Sequence, residues 1–241
     1  MTVALALAAF TVRGLAGRRR IVMMLVLVAL PVVVGALLRL VGGGSQTDRI
    51  LDTLVIRTVL PLVALVVGSA AVGSEIEDGT AIYLLVKPVA RWRIALVKSM
   101  VAAALTLVLV IPPLVLTGVL VGGLGPASMT TIAGFTLAAI AGGTAYAFLF
   151  TALGAITSRA LILGLVYVLI WEGVLAGLLE GTRFLSIRSA ALGLAAAWSG
   201  DEPRSAALEP VASIVVIGVA IVGAFAITTY ALARFQVRSA D

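Results

Sequence analysis

The sequence contains no cysteine and no histidine. Without thiols there are no disulfides and no thiolate metal sites, and without imidazole there are no histidine ligands for zinc or haem. Cysteine nucleophiles and serine-histidine catalytic arrangements are excluded as well. Lysine occurs only at Lys87 and Lys98, and each follows a valine. The phosphate-cradling loop G-x-x-x-x-G-K-[ST] is therefore missing, so this chain is not itself a P-loop ATPase.

Charged residues are also scarce, at 12% of the chain against 62% hydrophobic residues, and the mean hydropathy is +1.22. A soluble domain is roughly one quarter charged. A globule of 241 residues has too little interior to bury such an excess of apolar side chains. The composition therefore predicts an integral membrane protein and excludes a water-soluble one.

Six apolar stretches are long enough to cross a bilayer as helices of about 20 residues. They cover approximately residues 21–40, 51–73, 94–121, 130–157, 160–179 and 211–233. The runs are continuous and lack the alternation of barrel strands, which favours an all-α bundle. The first run is too long for a secretory signal and has no clear cleavage site after it, so we expect a retained helix. We expect one transmembrane domain over residues 1–241.

The basic residues are unevenly distributed across this six-span arrangement. About 11 of the 17 lie in segments on the side of the N-terminus. The positive-inside rule then places both termini in the cytoplasm of a multi-pass cell-membrane protein. Anionic lipid of the inner leaflet accounts for the net charge of +6, so no nucleic-acid partner is needed.

Segments outside the spans are predicted to be interfacial. Residues 1–20 are typical of an amphipathic helix in the inner interface, with a frayed tail as the alternative. Residues 184–198, ending at Trp198, are typical of a short helix resting on the outer surface within the loop 180–210. Prolines at Pro31, Pro61 and the Pro112–Pro113 pair are expected to kink or break their spans.

The loop 74–93 between the second and third spans has a distinct charge pattern. Three carboxylates, Glu75, Glu77 and Asp78, precede a short apolar stretch, where a helix N-terminus would favour them. Pro88 then disfavours helix at Lys87 and returns the chain toward the membrane. The loop is either a docking helix for a cytosolic partner or an ordinary amphipathic connector.

The residue order in this loop resembles that of ABC type-2 exporter permeases. The matching residues are Glu75-x-Glu77-x-Gly79-Thr80, Leu84-Leu85, Pro88-Val89-x-Arg91 and Lys98. In that family the segment is the coupling helix that docks on a separately encoded ATPase. The resemblance assigns coupling to Glu75, Glu77, Asp78, Gly79, Thr80, Pro88 and Arg91.

The same resemblance implies the composition of the assembly. It implies a homodimer of this chain with two copies of an ABC ATPase, and a translocation path between the second and fifth helices of the two subunits. ATP and Mg²⁺ would be bound by the ATPase, so the chain itself is expected to need no cofactor or metal and to catalyse no covalent step.

Two ionisable residues lie within predicted spans at similar depth, Arg57 in the second and Glu172 in the fifth. Such groups pair, snorkel to the interface or line a wet path. An Arg57–Glu172 pair, within one subunit or across the dimer, is one interpretation. Snorkelling of Arg57 with a protonated Glu172 is the other.

Glycines at spacing four, Gly173, Gly177 and Gly181, lie on one face of a continuous fifth helix. Small residues at this spacing allow close helix approach. The face serves either the dimer or packing within the chain. Gly118 and Gly122 form a weaker copy in the third span.

Two other classes of function stay open at this stage. An ion-coupled secondary transporter or channel would act without an ATPase, although it is expected to carry several ionisable residues near the midplane. A membrane assembly scaffold is the other. An intramembrane enzyme lacks the residues for the common protease and metal mechanisms.

Overall fold

The computed structural model describes residues 18–40, 47–77, 90–176, 180–199 and 208–238. Within these ranges the backbone is helical or in short turns, and none of it is a strand. The prediction of an all-α protein is confirmed for this part of the chain. The predicted interfacial helix in residues 1–17 lies outside it.

We label the helices of the described ranges in chain order. They are α1 (Arg18–Leu40), α2 (Thr47 to Glu77), α3 (Arg91–Gly122), α4 (Pro126–Ile156), α5 (Ala160 to Leu175), α6 (Ile187–Ser199) and α7 (Pro210–Arg238), with a 3₁₀ turn (Glu180–Leu185) before α6. Five of them, α1 to α4 and α7, are long and apolar enough to cross a membrane, and α5 is a shorter apolar helix. Each of the six predicted spans therefore has a helical counterpart, at Val22–Leu40, Thr47–Gly73, Arg91–Gly122, Pro126–Ile156, Ala160–Leu175 and Pro210–Arg234.

The prolines do not end their helices. Helix α1 continues past Pro31, and α3 continues past Pro112 and Pro113. In α2, nine residues of π-helix (Leu51–Val59) come just before Pro61, and the Leu60 N–H donates to the Val55 carbonyl five residues back. Because Pro61 has no N–H, the α-helical bond to residue 57 cannot form. The prolines therefore do not break these helices, and the expected kinks stay a prediction. Helix α2 changes its helix type near Pro61 while staying continuous.

Helix α4 lies in the middle of the bundle and packs against α2, α3, α6 and α7. The contact with α2 is closest at two glycines. A Cβ on Gly154 of α4 would lie 2.5 Å from the Ser69 carbonyl oxygen, and one on Gly68 of α2 would lie 3.0 Å from the Ala147 carbonyl oxygen. The two backbones therefore touch directly, as small residues permit in membrane helices.

The helix ends gather at two ends of the bundle. Ile94 at the start of α3 packs with Val72 near the end of α2, Ala155 at the end of α4 and Leu232 near the end of α7. We call this the Ile94 end. It carries the chain on both sides of the 78–89 segment and the C-terminal part of α7.

At the opposite end of the bundle, which we call the Gly122 end, the last turn of α3 contacts the end of α1 and the starts of α2 and α4. Arg39 of α1 donates to the Leu120 carbonyl oxygen of α3 at 2.8 Å, and Ser128 of α4 donates to the Gly122 carbonyl oxygen at 2.6 Å. A Cβ on Gly122 would also meet Thr47 at the start of α2. Helices α1 to α4 therefore run alternately between the two ends.

Helix α6 does not rest on the surface as predicted. Eight of its thirteen residues are buried, including Ile187, Arg188, Ala191 and Ala195. A Cβ on Gly142 would lie 3.0 Å from the Ala191 Cβ, so α6 packs against the middle of α4. The reason is the run of alanine, serine and glycine in α6, which fits against equally small residues. Trp198, near the other end of α6, is exposed.

Candidate functional site

The π-helical part of α2 holds an ion pair. The Arg57 Nε–H donates to Asp52 Oδ1 at 3.0 Å and Nη2 donates to Oδ2 at 2.9 Å. The residues are five apart, a spacing that the wide π-turns bring to one face. The arginine side chain is 36% exposed and the carboxylate only 10%. The pair therefore presents its positive member outward.

Polar residues surround this arginine on the same side of α2. Arg49, Thr53 and Thr58 are exposed, while neighbouring residues such as Val55 and Ile56 are buried. Thr58 donates to the Thr53 carbonyl oxygen at 2.9 Å, again across five residues. We call Arg49, Thr53, Arg57 and Thr58 the α2 stripe. It is the hydrophilic part of the outward face of a helix whose other face is core.

Arg57 and Glu172 do not pair within the chain. Arg57 binds Asp52, and Glu172 is 2% exposed with partners of its own. Equal depth in two spans suggested the pair, but depth does not fix which way a side chain points around its helix. The interpretation as an intrachain pair is therefore wrong. A pair across the dimer, and snorkelling of Arg57 to the headgroups with a protonated Glu172, stay predictions.

Glu172 lies in the π-helical turns of α5 (Tyr167–Leu175) and contacts the start of α6. Its Oε2 accepts from the Ser186 hydroxyl at 2.6 Å, and its Oε1 accepts from the Ile187 N–H at 3.0 Å and the Arg188 N–H at 3.5 Å. Tyr167, five residues earlier, donates to Oε1 at 3.0 Å. A carboxylate at a helix N-terminus is favoured by the unpaired N–H groups and by the helix dipole.

Ser186, the residue just before helix α6, caps the N-terminus of that helix. The Ser189 N–H donates to Ser186 Oγ at 3.0 Å and the Ala190 N–H donates to the Ser186 carbonyl oxygen at 3.2 Å. This is the geometry of an N-cap serine. The serine therefore links the cap of α6 to the carboxylate of α5.

Two further buried polar atoms of this cluster, Arg188 Nε and Ser189 Oγ, have no hydrogen-bond partner among the residues that the structure describes. Arg188 Nε lies 4.0 Å from Glu172 Oε2, an ion pair without a hydrogen bond. Tyr146 of α4 interacts electrostatically with Glu172 and Arg188, and its ring stacks on Phe150 at 5.9 Å between centroids. We call the set Tyr146, Tyr167, Glu172, Ser186, Arg188 and Ser189 the Glu172 cluster.

The predicted glycine face of the fifth span is only partly as expected. Gly173 is exposed, and a Cβ there would meet only the Val168 carbonyl oxygen of its own helix, at 3.5 Å. Gly181 lies in the 3₁₀ turn, so it does not share a helix face with Gly173. Gly177 is outside the described residues. The chain changes direction between α5 and α6, which a spacing of four cannot reveal.

The weaker glycine pair of the third span packs within the chain. A Cβ on Gly118 would lie 2.5 Å from the Ile132 side chain, and one on Gly122 would lie 2.8 Å from Ser128 Oγ. Both neighbours belong to α4. These two glycines therefore serve the α3–α4 contact.

The candidate coupling residues occupy the Ile94 end. Helix α2 continues to Glu77, so Glu75 and Glu77 belong to its last turn and do not begin a separate helix as predicted. No proline separates them from the apolar run, and the helix continues through Gly73. Arg91 is the first residue of α3. The remaining coupling residues, Asp78, Gly79, Thr80 and Pro88, lie outside the described residues.

Lys98 is a buried cation that sequence reasoning did not single out as a site residue. It lies two turns into α3, is 1% exposed, and its Nζ donates to the Ala71 carbonyl oxygen of α2 at 2.8 Å. The bond joins the two helices that flank the 78–89 segment. A lysine inside an apolar run was the available signal, because such residues rarely occur without a partner.

Among the described residues no group of three or more aspartates and glutamates could hold a metal ion. The arrangement instead offers a polar stripe on an outward face, a carboxylate that holds a helix and a lysine clamp.

Comparison with known protein families gives one match. Residues 17–182, which are 166 of the 241, match the model of the ABC-2 family transporter protein. The matched region runs from α1 to the 3₁₀ turn before α6 and includes the α2 stripe, Lys98 and Glu172. No curated protein sequence matches the chain.

Proposed function

Because the chain belongs to the ABC-2 family of transporter proteins, we propose that it is the permease subunit of an ATP-driven exporter. Two copies of the chain assemble with two copies of a separately encoded ABC ATPase, and the substrate crosses between the two permeases. The ATPase binds ATP and Mg²⁺. The permease holds no cofactor and changes conformation when the ATPase closes on ATP.

The observation that carries this proposal beyond family membership is the α2 stripe. Arg49, Thr53 and Thr58 are exposed on a helix that is mostly buried, and Arg57 is partly exposed beside them. Arg57 already bonds Asp52 and Thr58 bonds the Thr53 carbonyl oxygen, but lipid tails offer nothing to the polar atoms that stay exposed, and a polar group left unsatisfied in hydrocarbon costs several kcal/mol, of the order of 2 to 7. A wet path or a second permease copy satisfies them, so the stripe supports a path lined by α2.

Helix α5 supports the same location for the dimer. Its outward residues include Leu165, Leu169 and Val174, which are 42 to 57% exposed, and Gly173 has no neighbour from another helix. An apolar ridge beside an open glycine allows another helix to approach closely. The proposed path lies between α2 of one copy and α5 of the other.

Coupling to the ATPase is proposed to pass through residues 74–93 and the Lys98 clamp. A push on this segment acts on the end of α2 and the start of α3 together, because Lys98 and Ala71 are bonded at 2.8 Å. The Ile94 packing adds α4 and α7 to the same unit. Force applied at one place would then move four helices.

The proposed orientation puts the Ile94 end in the cytoplasm. This end carries exposed basic residues, with Arg93 over the Trp92 ring at 5.3 Å and Arg234 over the Tyr230 ring at 4.7 Å. Arginine and aromatic residues are typical of the interface, and arginine favours the inner side. Both termini then lie in the cytoplasm of a six-span protein in the cell membrane.

Co-purification tests the coupling part of this proposal. The chain is co-expressed with candidate ABC ATPases, and the ATPase retained on the membrane subunit is measured with its ATP hydrolysis. We expect an intact pair for the native chain and loss of both retention and stimulated hydrolysis when residues 75–85 are deleted. As a matched control, deletion of residues 201–206 should leave both unchanged. Substrate transport by the purified chain alone would instead support a secondary transporter.

A further inference from the structure

Helix α6 enters the bundle with its N-terminus deep inside. A Cβ on Gly142 would lie 3.0 Å from the Ala191 Cβ, and one on Gly134 would lie 2.9 Å from the Ala195 carbonyl oxygen. Residue numbers rise along α6 while those of the α4 residues it contacts fall, so the two helices are antiparallel. Gly142 is 16 residues after Pro126, about 24 Å along α4. The start of α6 is therefore near the middle of the bundle, and its other end points to the Gly122 end.

The sides of α6 are fixed by close backbone contacts. Ala190, Ala191 and Ala195 are at most 5% exposed. On the α7 side the Leu208 N–H donates to the Ser189 carbonyl oxygen at 3.2 Å, and a Cβ on Gly193 would overlap Leu208. Small side chains leave few steric barriers to sliding along the helix axis. Along that axis α6 is held by the Leu208 bond on its side and by the hydrogen bonds at its N-terminus.

The Glu172 cluster supplies that bonding from another helix. Both carboxylate oxygens of Glu172 are used, one by the Ser186 hydroxyl and the other by the Ile187 and Arg188 N–H groups and Tyr167. The residue is 2% exposed, so no solvent replaces these donors. A buried carboxylate with charge-assisted bonds holds its donors more strongly than a neutral acceptor would.

We infer that Glu172 is a positioning residue, which holds helix α6 at mid-depth and thereby closes the Gly122 end of the bundle. Glu172 does so through Ser186 and the first N–H groups of α6. Its role is separate from the α2 stripe, because Glu172 faces the interior of one chain and not the surface between copies.

The same cluster offers Glu172 a second set of partners. Arg188 Nε is 4.0 Å from Oε2 and makes no hydrogen bond to the described residues, and the buried Tyr146 hydroxyl interacts with the same carboxylate. A small shift of α6 that closes this 4.0 Å gap while the Ile187 N–H moves away would exchange the Ile187 contact for an Arg188 bond. Buried groups with two discrete pairings make a bistable element. The structure assigns this exchange to opening of the Gly122 end, a step that rests on the proposed transport function.

The absence of cysteine makes a clean test possible. Single cysteines are placed at Ala190, which is fully buried on α6, and at Trp198, which is 59% exposed on the same helix. Labelling with a membrane-impermeant maleimide from the Gly122 side is followed in vesicles that contain the permease alone. We expect A190C to be protected and W198C to react.

The variants then separate positioning from general damage. E172Q keeps the size of the side chain but removes the charge, and should raise A190C labelling several-fold without changing W198C. Y167F also removes one hydrogen bond to Glu172 but does not touch α6, so A190C should stay protected. Equal labelling of A190C in native chain, E172Q and Y167F would overturn the assignment. If E172Q does not fold, S186A gives the same comparison.

A second arm tests the exchange and needs the ATPase. With ATP and the co-purified ATPase, A190C labelling should rise in the native chain. R188Q lacks the second partner, so it should keep A190C protected both with and without ATP. A rise in R188Q equal to that in the native chain would overturn the exchange. Because the first arm contains no ATPase, failure of the proposed coupling leaves the positioning result intact.

Discussion

The Ser186 hydroxyl donates to Glu172 Oε2 at 2.6 Å, and this bond links helix α5 to the N-cap of the inserted helix α6. The same serine accepts the Ser189 N–H at 3.0 Å. One side chain therefore caps α6 and attaches it to α5. This relationship explains how an alanine-rich helix, with little apolar area of its own, is kept inside the bundle.

The carboxylate should be the main source of stability in that cluster. E172A removes the acceptor of several buried donors and leaves Arg188 without its counter-charge. Loss of one partner of a buried pair costs about 3 to 5 kcal/mol. Thermal unfolding in detergent should show a large decrease in midpoint. Y167F, which removes one neutral hydrogen bond, should cost only about 1 kcal/mol; equal losses in the two variants would contradict the account.

The α2–α4 crossing should not tolerate a single added methyl group. G154A places a Cβ against the Ser69 carbonyl, which belongs to backbone that cannot move aside easily. Overpacking of this kind costs about 1 to 3 kcal/mol. G218A is the matched control, because a Cβ on Gly218 of α7 has open space around it. Measured by the same unfolding, G218A should be neutral or slightly stabilising, and destabilisation equal to that of G154A would exclude close packing as the cause.

The Arg57–Asp52 pair should behave as one unit. D52A leaves an arginine that is 36% exposed without its carboxylate, and R57A leaves a nearly buried carboxylate without its arginine. The double variant D52A/R57A removes both charges and should be more stable than the sum of single losses predicts, by about 0.5 to 3 kcal/mol. Additive losses in the unfolding free energy would show that the two residues act separately.

Lys98 should transmit movement and not hold the ATPase. K98M keeps much of the apolar stem but loses the bond to the Ala71 carbonyl oxygen, so a push on α3 would no longer move α2. We expect the variant to retain the ATPase on co-purification but to lose most of the ATP-dependent labelling change at A190C. K98R, which retains a cationic donor, should lose less. Loss of ATPase binding in K98M would place the lysine in docking.

Much of the architecture follows from the sequence alone. Long apolar runs locate α1 to α4 and α7 to within a few residues, because a membrane leaves a helix as the only way to satisfy backbone bonds within one segment. The order of residues around Glu75 and Pro88 also identified the family. What composition and order supply is helix placement along the chain.

The contacts that the sequence did not predict depend on how each helix is rotated about its axis and on how deep it lies in the bundle. Glu172 has a partner in Ser186, fourteen residues on, only because the chain turns back after α5. Arg57 finds Asp52 only because π-turns bring residues five apart together, and no simple sequence pattern marks them. The interior position of α6 depends on small residues of both α6 and α4. The amphipathic spacing of one helix does not predict such a contact.

The most direct test of a transport path compares two exposed positions at similar depth. Thr58 of the α2 stripe is 11 residues from the start of α2, and Val222 of α7, 67% exposed, is 12 residues from the start of its helix at Pro210. Single cysteines at both are labelled with a water-soluble maleimide in vesicles containing the permease and its ATPase. The account predicts that T58C reacts to an extent that changes with ATP, while V222C in lipid stays unreactive. A T58C as unreactive as V222C, with or without ATP, would contradict it.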